Sequence, residues 1–335
     1  MLQFNAVVLI TTNICNLRCR HCYPSSGQTQ EEIFRFGNNK TLTAAQAEQY
    51  IRQIPQLKNV YPMLHIGGGE STLFTKEFKE IVSLGKKYGL QVSMVTNCSW
   101  AKDQEKADEF IADLKEKGMT RVEISLSVFH QEFLDTGYPL RAIRACRKFG
   151  MEIMLRPIVT KTATLAKTLE GFSSKDLEGA AINVSKCIPT GRAKDQVPPD
   201  EFLYEEIGYG GCRKILNLTI RQDGSVYPCC AGSDITNALR LGNANEEPLK
   251  DIIARAELDP LIVVLTQYGP RYLAELLSES GGKNFMKEKH TGICDLCNDL
   301  FINDEIAGQV RAALNHRLRE FKIIPSLSEE FSVEK

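Results

Sequence analysis

The chain has 335 residues, long enough for one large domain or a large and a small one with a sizeable core. With 41 basic and 42 acidic side chains, its net charge gives no electrostatic reason to expect nucleic acid or a membrane surface as a partner. No signal peptide or membrane-spanning stretch is recognisable, and the odd number of cysteines, 11, suits a reducing compartment rather than a disulfide scaffold. We therefore expect a soluble cytoplasmic protein.

Short apolar runs recur along the first part of the chain at the spacing of β-strand and α-helix units. After a first strand at Ala6–Thr12, they start near Met63, Gln91, Arg121, Met151 and Ala181. Amphipathic stretches lie between them, and a glycine suited to end a helix precedes the later runs: Gly89, Gly118, Gly150 and Gly179. Six such units predict an α/β fold, a partial (β/α)6 TIM-like barrel, whose chemistry gathers at the carboxyl ends of the strands.

Three cysteines, Cys15, Cys19 and Cys22, stand directly after the first strand. A cubane iron–sulfur cluster is normally held by four thiolates, so a set of three leaves one iron open and reactive. The alternatives are a zinc knuckle, for which His21 could be the fourth ligand, or a redox pair. His21 lies between two of the cysteines and would face away if both bind one cluster.

This triplet, followed by Tyr23, resembles the cluster loop of the radical S-adenosylmethionine (SAM) superfamily. The resemblance implies a [4Fe–4S] cluster whose open iron is chelated by the amino and carboxylate groups of SAM. A one-electron reductant of the flavodoxin or ferredoxin type would then trigger cleavage to methionine and a 5′-deoxyadenosyl radical that abstracts a hydrogen atom. Tyr23 would pack near the adenine.

Polar residues stand at the predicted strand ends. Residues 67–70, which follow the second strand, resemble the superfamily's Gly-Gly-Glu element, and this likeness implies that they bind the methionyl amino group. Further positions resemble those that hold the ribose and carboxylate. The candidates for cofactor binding, besides Tyr23, are Gly68, Gly69, Glu70, Asn97, Ser125, Ser127 and Arg156. Each of them could instead be an ordinary hydrogen-bonding residue at a strand end, and Ser125 and Ser127 both alternate towards the barrel interior.

The βα period fails from about Asp195, where residues 197–200 read as a linker. We expect a barrel in residues 1–195, a cluster module in 196–325 and a tail in 326–335. Within the module, a turn at Asp223 and Gly224 predicts a hairpin that brings flanking cysteines together. With a Cys-x2-Cys pair they form a four-thiolate set: Cys212, Cys229, Cys294 and Cys297.

This spacing resembles the start of SPASM and twitch modules, which hold auxiliary clusters in many radical enzymes that act on peptides and proteins. No cysteine follows Cys297, so we expect a single auxiliary [4Fe–4S] cluster. A zinc ribbon with the same four ligands is the alternative. Cys146, by contrast, lies on an apolar helix face and is predicted to be a core residue.

The doublet Cys229-Cys230 leaves one thiol beyond the four-ligand set. Neighbouring strand residues point to opposite faces, so Cys230 would present its thiol elsewhere and could give a hydrogen atom to a carbon radical. Residues 220–230 and 291–297 together resemble the radical peptide epimerases of the epipeptide type, which convert L-residues to D-residues. In that family the second cysteine of the doublet is the hydrogen donor, which implies Cys230 as the catalytic residue and a ribosomal peptide as substrate. An inert buried thiol or an alternative ligand is the other interpretation of Cys230.

Three other functions stay open on the sequence. An oxidative radical enzyme could form a crosslink or thioether, a small-molecule enzyme could include aminocarboxypropyl transfer, and a noncatalytic protein could carry electrons on two clusters. The element at residues 67–70 and the barrel argue against the carrier, because electron transfer alone needs no pocket for a methionyl group.

Overall fold

The computed structural model describes residues 2–28, 41–212, 217–230, 236–282 and 289–320. The strands are β1 Ala6–Thr12, β2 Met63–Gly68, β3 Gln91–Thr96, β4 Met119–Leu126, β5 Glu152–Val159, β6 Ala180–Ile182, β7 Ser185–Lys186, β8 Asn217–Ile220, β9 Ser225–Tyr227 and β10 Gly242–Asn243. The helices are α1 Ala44–Ile51, α2 Thr75–Lys87, α3 Gln104–Lys117, α4 Val128–Gln131, α5 Gly137–Lys148, α6 Leu165–Thr168, α7 Ser174–Leu177, α8 Arg192–Gln196, α9 Leu249–Leu258, α10 Pro260–Gln267, α11 Gly269–Glu279, α12 Ile293–Phe301 and α13 Asp304–Glu320.

One sheet runs through the molecule in the order β10-β9-β8-β1-β2-β3-β4-β5-β6, and β7 pairs with the last part of β5. Strands β1 to β6 are parallel neighbours in chain order. This is the partial (β/α)6 barrel that the apolar period predicts. Its strands start within two residues of the predicted positions, and each of the last four runs follows a helix-ending glycine. Those four glycines, at 89, 118, 150 and 179, all have positive φ.

The two faces of the sheet differ in polarity. Side chains of the outer face are fully buried against the helices, for example Val7, Leu64, Val92 and Val122. The strand register places the intervening residues on the inner face, where Val8 pairs with His65 and His65 with Ser93, and Glu123 and Arg156 lie further round. The barrel therefore has an apolar wall against its helices and a polar lumen.

The C-terminal region extends the barrel sheet. Strand β8 pairs in parallel with β1 and forms the predicted hairpin with β9, in which Gly224 has a φ of +83°. Ile215 and Leu216, which we also expected in the first hairpin strand, lie outside the described residues, as does the predicted tail 326–335. The apolar run at 261–265 belongs to helix α10. Most leucines of helices α9 to α13 are buried, such as Leu273 and Leu300, whereas Leu258 is 63% exposed. The domain boundary near residue 195, between the barrel and the cluster module, remains a prediction.

Among the helices of the described ranges, none is both long and apolar enough to cross a lipid bilayer.

Candidate active site

The cysteine triplet lies in a loop that is closed at its base by hydrogen bonds. The amide of Cys15 donates to the carbonyl of Gly27 (3.0 Å), and the amide of Gly27 donates to that of Asn13 (3.3 Å). Burial, together with the charges of Glu70 and Cys22, raises the pKa of the Cys15 thiol to about 12. The pKa of Cys19 is also raised by burial and by the thiolates of Cys22 and Cys15.

The three thiols thus face one another in a setting that disfavours thiolates without a cation. Iron supplies that positive charge, because cluster ligands bind as thiolates. The triplet therefore fits a cluster. Its fourth candidate ligand in a zinc knuckle, His21, stacks its ring on that of Phe129 with centroids 4.9 Å apart.

Arg192 fastens this loop from the other side of the barrel. Its guanidinium donates from Nε to the Cys19 carbonyl (3.2 Å) and from NH1 to the Ser26 carbonyl (2.7 Å). The preceding Gly191 has a φ of +59°, and a Cβ there would lie 2.1 Å from the Tyr23 carbonyl oxygen. Gly191 is therefore required both by its backbone conformation and by the close approach of the loop.

The glycines at the end of β2 allow the same kind of contact. A Cβ on Gly68 would lie 2.3 Å from the Thr12 carbonyl oxygen, and one on Gly69 would lie 2.1 Å from that of Ile14. The strand end therefore packs its backbone directly on the start of the cysteine loop. The amides of Gly69 and Glu70 donate to these same two carbonyls.

Glu70 is 1% exposed and lies between the ends of β2 and β3. Its carboxylate accepts hydrogen bonds from the hydroxyls of Thr72 (2.5 Å) and Thr96 (2.8 Å) and from the amide of Asn97 (2.8 Å). Burial raises the pKa of this carboxyl, and the hydrogen bonds oppose that effect. The backbone amide of Thr72 donates to the same carboxylate, so Glu70 is held in place by its neighbours on both strand ends.

Asn97 reaches towards the cysteine loop. Its Nδ2 lies 2.9 Å from Asn16 Oδ1, to which it donates, and 3.9 Å from the sulfur of Cys15. The residue is placed to contact both the loop and a ligand bound beside it.

The two candidate serines after β4 have different surroundings. Ser127 is fully buried and its hydroxyl lies 2.8 Å from Nδ1 of His130. Ser125 is half-buried on the lumen side, directly beside Arg156 in the strand register. Arg156 donates from NH1 to Glu123 (2.6 Å). Of the two serines, Ser125 is therefore the better placed to contact a ligand in the lumen.

Tyr23 joins the cysteine loop to the C-terminal hairpin. Its hydroxyl donates to the backbone carbonyl of Cys230 at 2.5 Å. The sulfur of Cys230 lies 4.0 Å from Nδ2 of Asn217, a residue of β8 that pairs with Ala6 of the barrel. Cys230 thus lies against both the first cysteine loop and the barrel sheet.

The neighbouring Cys229 belongs to a different group of thiols. Burial raises the pKa of Cys297, and the charges of Cys229, Cys294 and Cys212 raise it further, so these three thiols lie close enough to act on Cys297. Nowhere in the described ranges do three or more metal-binding side chains converge on a position for a single ion. A cubane cluster binds each thiolate through a different iron, so its four ligands can lie further apart than the ligands of a single ion. The four thiols fit such a cluster.

The sequence interpretation missed several residues of this site. Arg192 belongs to no sequence motif, because its two partners are carbonyls of a distant loop. Glu123, His65 and Ser93 carried no motif, and yet they meet inside the barrel. Their signal was present as polar residues at alternate positions of apolar strands, which marks a polar lumen.

A partial α/β barrel with a three-thiol loop after its first strand, and a second thiol set beside it, defines an iron–sulfur enzyme of the barrel type. The sequence profile of the Radical SAM superfamily matches residues 9–169, and that of SPASM, an iron–sulfur cluster-binding domain, matches residues 212–298. The chain belongs to the radical SAM superfamily and carries a SPASM domain. Its cofactors are accordingly [4Fe–4S] clusters and SAM.

Two curated relatives resemble the chain over most of its length. The "Putative peptide biosynthesis protein YydG" of Bacillus subtilis (strain 168) is 23% identical, over 90% of this chain and 94% of that protein. The "GTP 3',8-cyclase" of Aquifex aeolicus (strain VF5) is 23% identical, over 72% of this chain and 87% of that protein.

Among solved structures, native anSMEcpe with bound AdoMet has a TM-score of 0.57 and 16% identity, and the match covers 95% of this chain and 98% of that one. The same protein with AdoMet and the Kp18Cys peptide has a TM-score of 0.53 and 15% identity, with 95% and 99% coverage. At 15% and 16% sequence identity, these structural similarities support the assignment of the fold alone.

Proposed function

We propose that this radical SAM enzyme inverts a residue of a ribosomally made peptide, with Cys230 as the hydrogen donor. The observation that carries the proposal is the hydrogen bond from Tyr23 to Cys230. It ties the spare cysteine of the doublet to the loop where the cofactor would bind. A donor thiol must lie within reach of the carbon that has lost its hydrogen, and this contact supports the proposal because it brings the backbone of Cys230 to that loop.

The cofactor would be held at the strand ends. We assign the first cluster to Cys15, Cys19 and Cys22, and SAM to the lumen beside Tyr23, Gly68, Gly69, Glu70, Asn97, Ser125 and Arg156. Bound there, the cluster and SAM supply a carbon radical that can abstract a hydrogen atom. Glu70 would accept hydrogen bonds from the methionyl ammonium, and Arg156 would donate to its carboxylate. We assign the auxiliary cluster to Cys212, Cys229, Cys294 and Cys297.

The different surroundings of Cys229 and Cys230 support the role that we propose for Cys230. Cys229 is directed towards Cys297, whereas Cys230 is directed towards Asn217, so the doublet divides between two surroundings. A hydrogen atom removed from Cα on one face and returned from the Cys230 S–H on the other gives the opposite configuration. Cys230 then lacks one hydrogen atom, and it regains this atom as one electron and one proton. A flavodoxin- or ferredoxin-type carrier is the electron source that we propose.

A peptide is the substrate class that two comparisons favour. YydG is described as a putative peptide biosynthesis protein, and anSMEcpe binds a peptide in one of its structures. We place the reaction in the cytoplasm, since it needs reduced thiols and none of the eleven cysteines forms a disulfide.

Replacing Cys230 by alanine tests the proposal. The reconstituted enzyme is incubated without oxygen in deuterated water with SAM, a reductant and an all-L candidate peptide encoded beside its gene. The native enzyme is expected to form 5′-deoxyadenosine and to leave one deuterium, with inverted configuration, in the peptide. Cys230→Ala should still cleave SAM but return hydrogen to the peptide at a rate lower by roughly 100-fold or more, because the positioned donor is absent. Mass spectrometry and chiral amino-acid analysis measure both products.

Other outcomes would contradict epimerisation. Loss of two hydrogens from the peptide would indicate an oxidative enzyme, and a mass gain equal to an aminocarboxypropyl group would indicate group transfer. Turnover of GTP but of no peptide would indicate a small-molecule enzyme like the cyclase relative. If Cys230→Ala loses the iron of one cluster, Cys230 is a ligand. Cys146→Ala is the matched control. It also removes one thiol, but Cys146 is fully buried in the helix layer.

A further inference from the structure

A group of charged and polar side chains lies on the inner wall of the barrel, below the strand ends. Glu123 of β4 accepts a hydrogen bond from NH1 of Arg156 on β5 at 2.6 Å. On its other side, Glu123 Oε1 lies 3.8 Å from Nδ1 of His65, and that nitrogen lies 2.8 Å from the hydroxyl of Ser93. Four neighbouring strands, β2 to β5, contribute to this group.

The strand register explains how Glu123 meets Arg156. Ser125 is the direct neighbour of Arg156, and Glu123 lies two residues earlier on the same strand and face. Its carboxylate therefore holds the guanidinium from below. The Glu123 side chain is 8% exposed, whereas that of Arg156 is 40% exposed. The bond fixes one edge of the guanidinium against the wall and leaves the rest open to the lumen.

Arg156 is also the group that balances the charge of Glu123. Burial lowers the pKa of His65, and the charges of Arg156 and Arg121 lower it further, while Glu123 raises it. His65 is therefore neutral near pH 7 and offers Glu123 no full positive charge. A buried carboxylate without a cationic partner is strongly destabilised, so the pair is held together.

We propose that Glu123 is a positioning residue that holds the Arg156 guanidinium in the orientation in which it binds the carboxylate of SAM. This inference rests on the cofactor-binding role proposed above for Arg156, and it is independent of what the enzyme does to its substrate. An arginine side chain has many rotamers, and fixing it before the ligand arrives lowers the entropy that binding must overcome. Of its five N–H donors, one is used by Glu123, and none of the others makes a hydrogen bond within the described ranges.

The chain contains a matched pair for comparison. Arg121 of β4 and Glu152 of β5 also form a cross-strand ion pair, with Nε and Oε2 2.9 Å apart. Glu152, however, is 66% exposed, and the pair lies at the opposite end of the same strands. An exposed pair of this kind has little energetic effect. Glu152→Gln is thus the control for removing a carboxylate between the same two strands.

The test is equilibrium binding of SAM to the cluster-reconstituted enzyme without peptide or reductant, measured by isothermal titration. Glu123→Gln is expected to weaken binding about tenfold, because the ion pair with Arg156 becomes a weaker hydrogen bond between the guanidinium and a neutral amide. Glu123→Asp keeps the charge but withdraws the carboxylate by one carbon, and should weaken binding similarly. Glu152→Gln should bind as the native enzyme does. Iron content and melting temperature verify that each variant is folded and loaded.

A double substitution separates positioning from a general structural effect. Arg156→Ala should weaken binding more than Glu123→Gln does, and adding Glu123→Gln to it should have no further effect on affinity. Unchanged affinity in both Glu123 variants, or equal losses with and without Arg156, would overturn the inference. Because no peptide is present, these binding results do not depend on the outcome of the Cys230→Ala experiment.

Discussion

Replacing Cys19 by alanine and replacing Cys297 by alanine are each expected to remove half of the iron, but from different clusters. A [4Fe–4S] cluster carries four irons, so each variant should keep roughly half of the metal of the native enzyme. Cys19→Ala should lose SAM cleavage altogether, since Cys19 belongs to the triplet that would hold the SAM-binding cluster. Cys297→Ala should still cleave SAM, because its partners are the other thiol set. Iron analysis, electron paramagnetic resonance and assay of 5′-deoxyadenosine measure the three quantities.

Cys146→Ala is the control for this pair of variants. Cys146 is fully buried on helix α5, and burial raises its pKa to about 12, but no other thiol is among the causes of that shift. Its replacement should leave the iron content unchanged and cost about 1 kcal/mol of stability, as expected for a small cavity in the core. If the native protein carried zinc at the auxiliary set and Cys297→Ala lost that zinc, the set would be a zinc ribbon.

Alanine at Gly191 is expected to be much more destabilising than alanine at Gly89, the glycine that follows helix α2. Gly191 has a φ of +59° with a ψ of −138°, a backbone conformation that is essentially restricted to glycine, whereas Gly89 has a φ of +71° just after helix α2. Alanine is therefore expected to cause more backbone strain at Gly191 than the strain of about 1 kcal/mol expected at Gly89. A Cβ at Gly89 meets no atom within 4 Å, whereas one at Gly191 would lie 2.1 Å from Tyr23 O and 2.7 Å from Cys22 O. Two backbone carbonyls cannot move aside without displacing the cysteine loop.

We therefore expect Gly191→Ala to lower the free energy of unfolding by about 3 kcal/mol or more, and Gly89→Ala by about 1 kcal/mol. Denaturant unfolding of both variants gives the difference. Gly191→Ala should also lose iron from the SAM-binding cluster, because the clash falls on the carbonyl of Cys22. Equal stability of the two variants would show that the loop is not packed against Gly191 as described.

Together these variants separate the two metal sites from the framework that carries them. The barrel positions the cysteine loop through backbone contacts at Gly69 and Gly191. Cys230 in turn contacts Tyr23 of that loop and Asn217 of the hairpin. Loss of a thiol should therefore remove one cluster, while loss of a glycine should disturb the loop that all three thiols share.

The sequence by itself determined the class of fold and the first cysteine set. The strands at Met63–Gly68 and Gln91–Thr96 could be predicted because an apolar run and a helix-ending glycine are both local signals. The spacing of Cys15, Cys19 and Cys22 is equally local, since all three lie in one loop.

Only the tertiary structure decided how distant side chains meet. Glu123 and Arg156 are 33 residues apart, and Tyr23 and Cys230 are 207 apart, so neither contact leaves a periodic pattern in the chain. The sequence likewise left Ser125 and Ser127 equivalent, because alternation places both on the same face. Their environments differ because the short helix after β4 brings His130 back to Ser127, which leaves Ser125 beside Arg156. Contacts of this kind depend on strand register and loop closure, and these are fixed only when the whole sheet has formed.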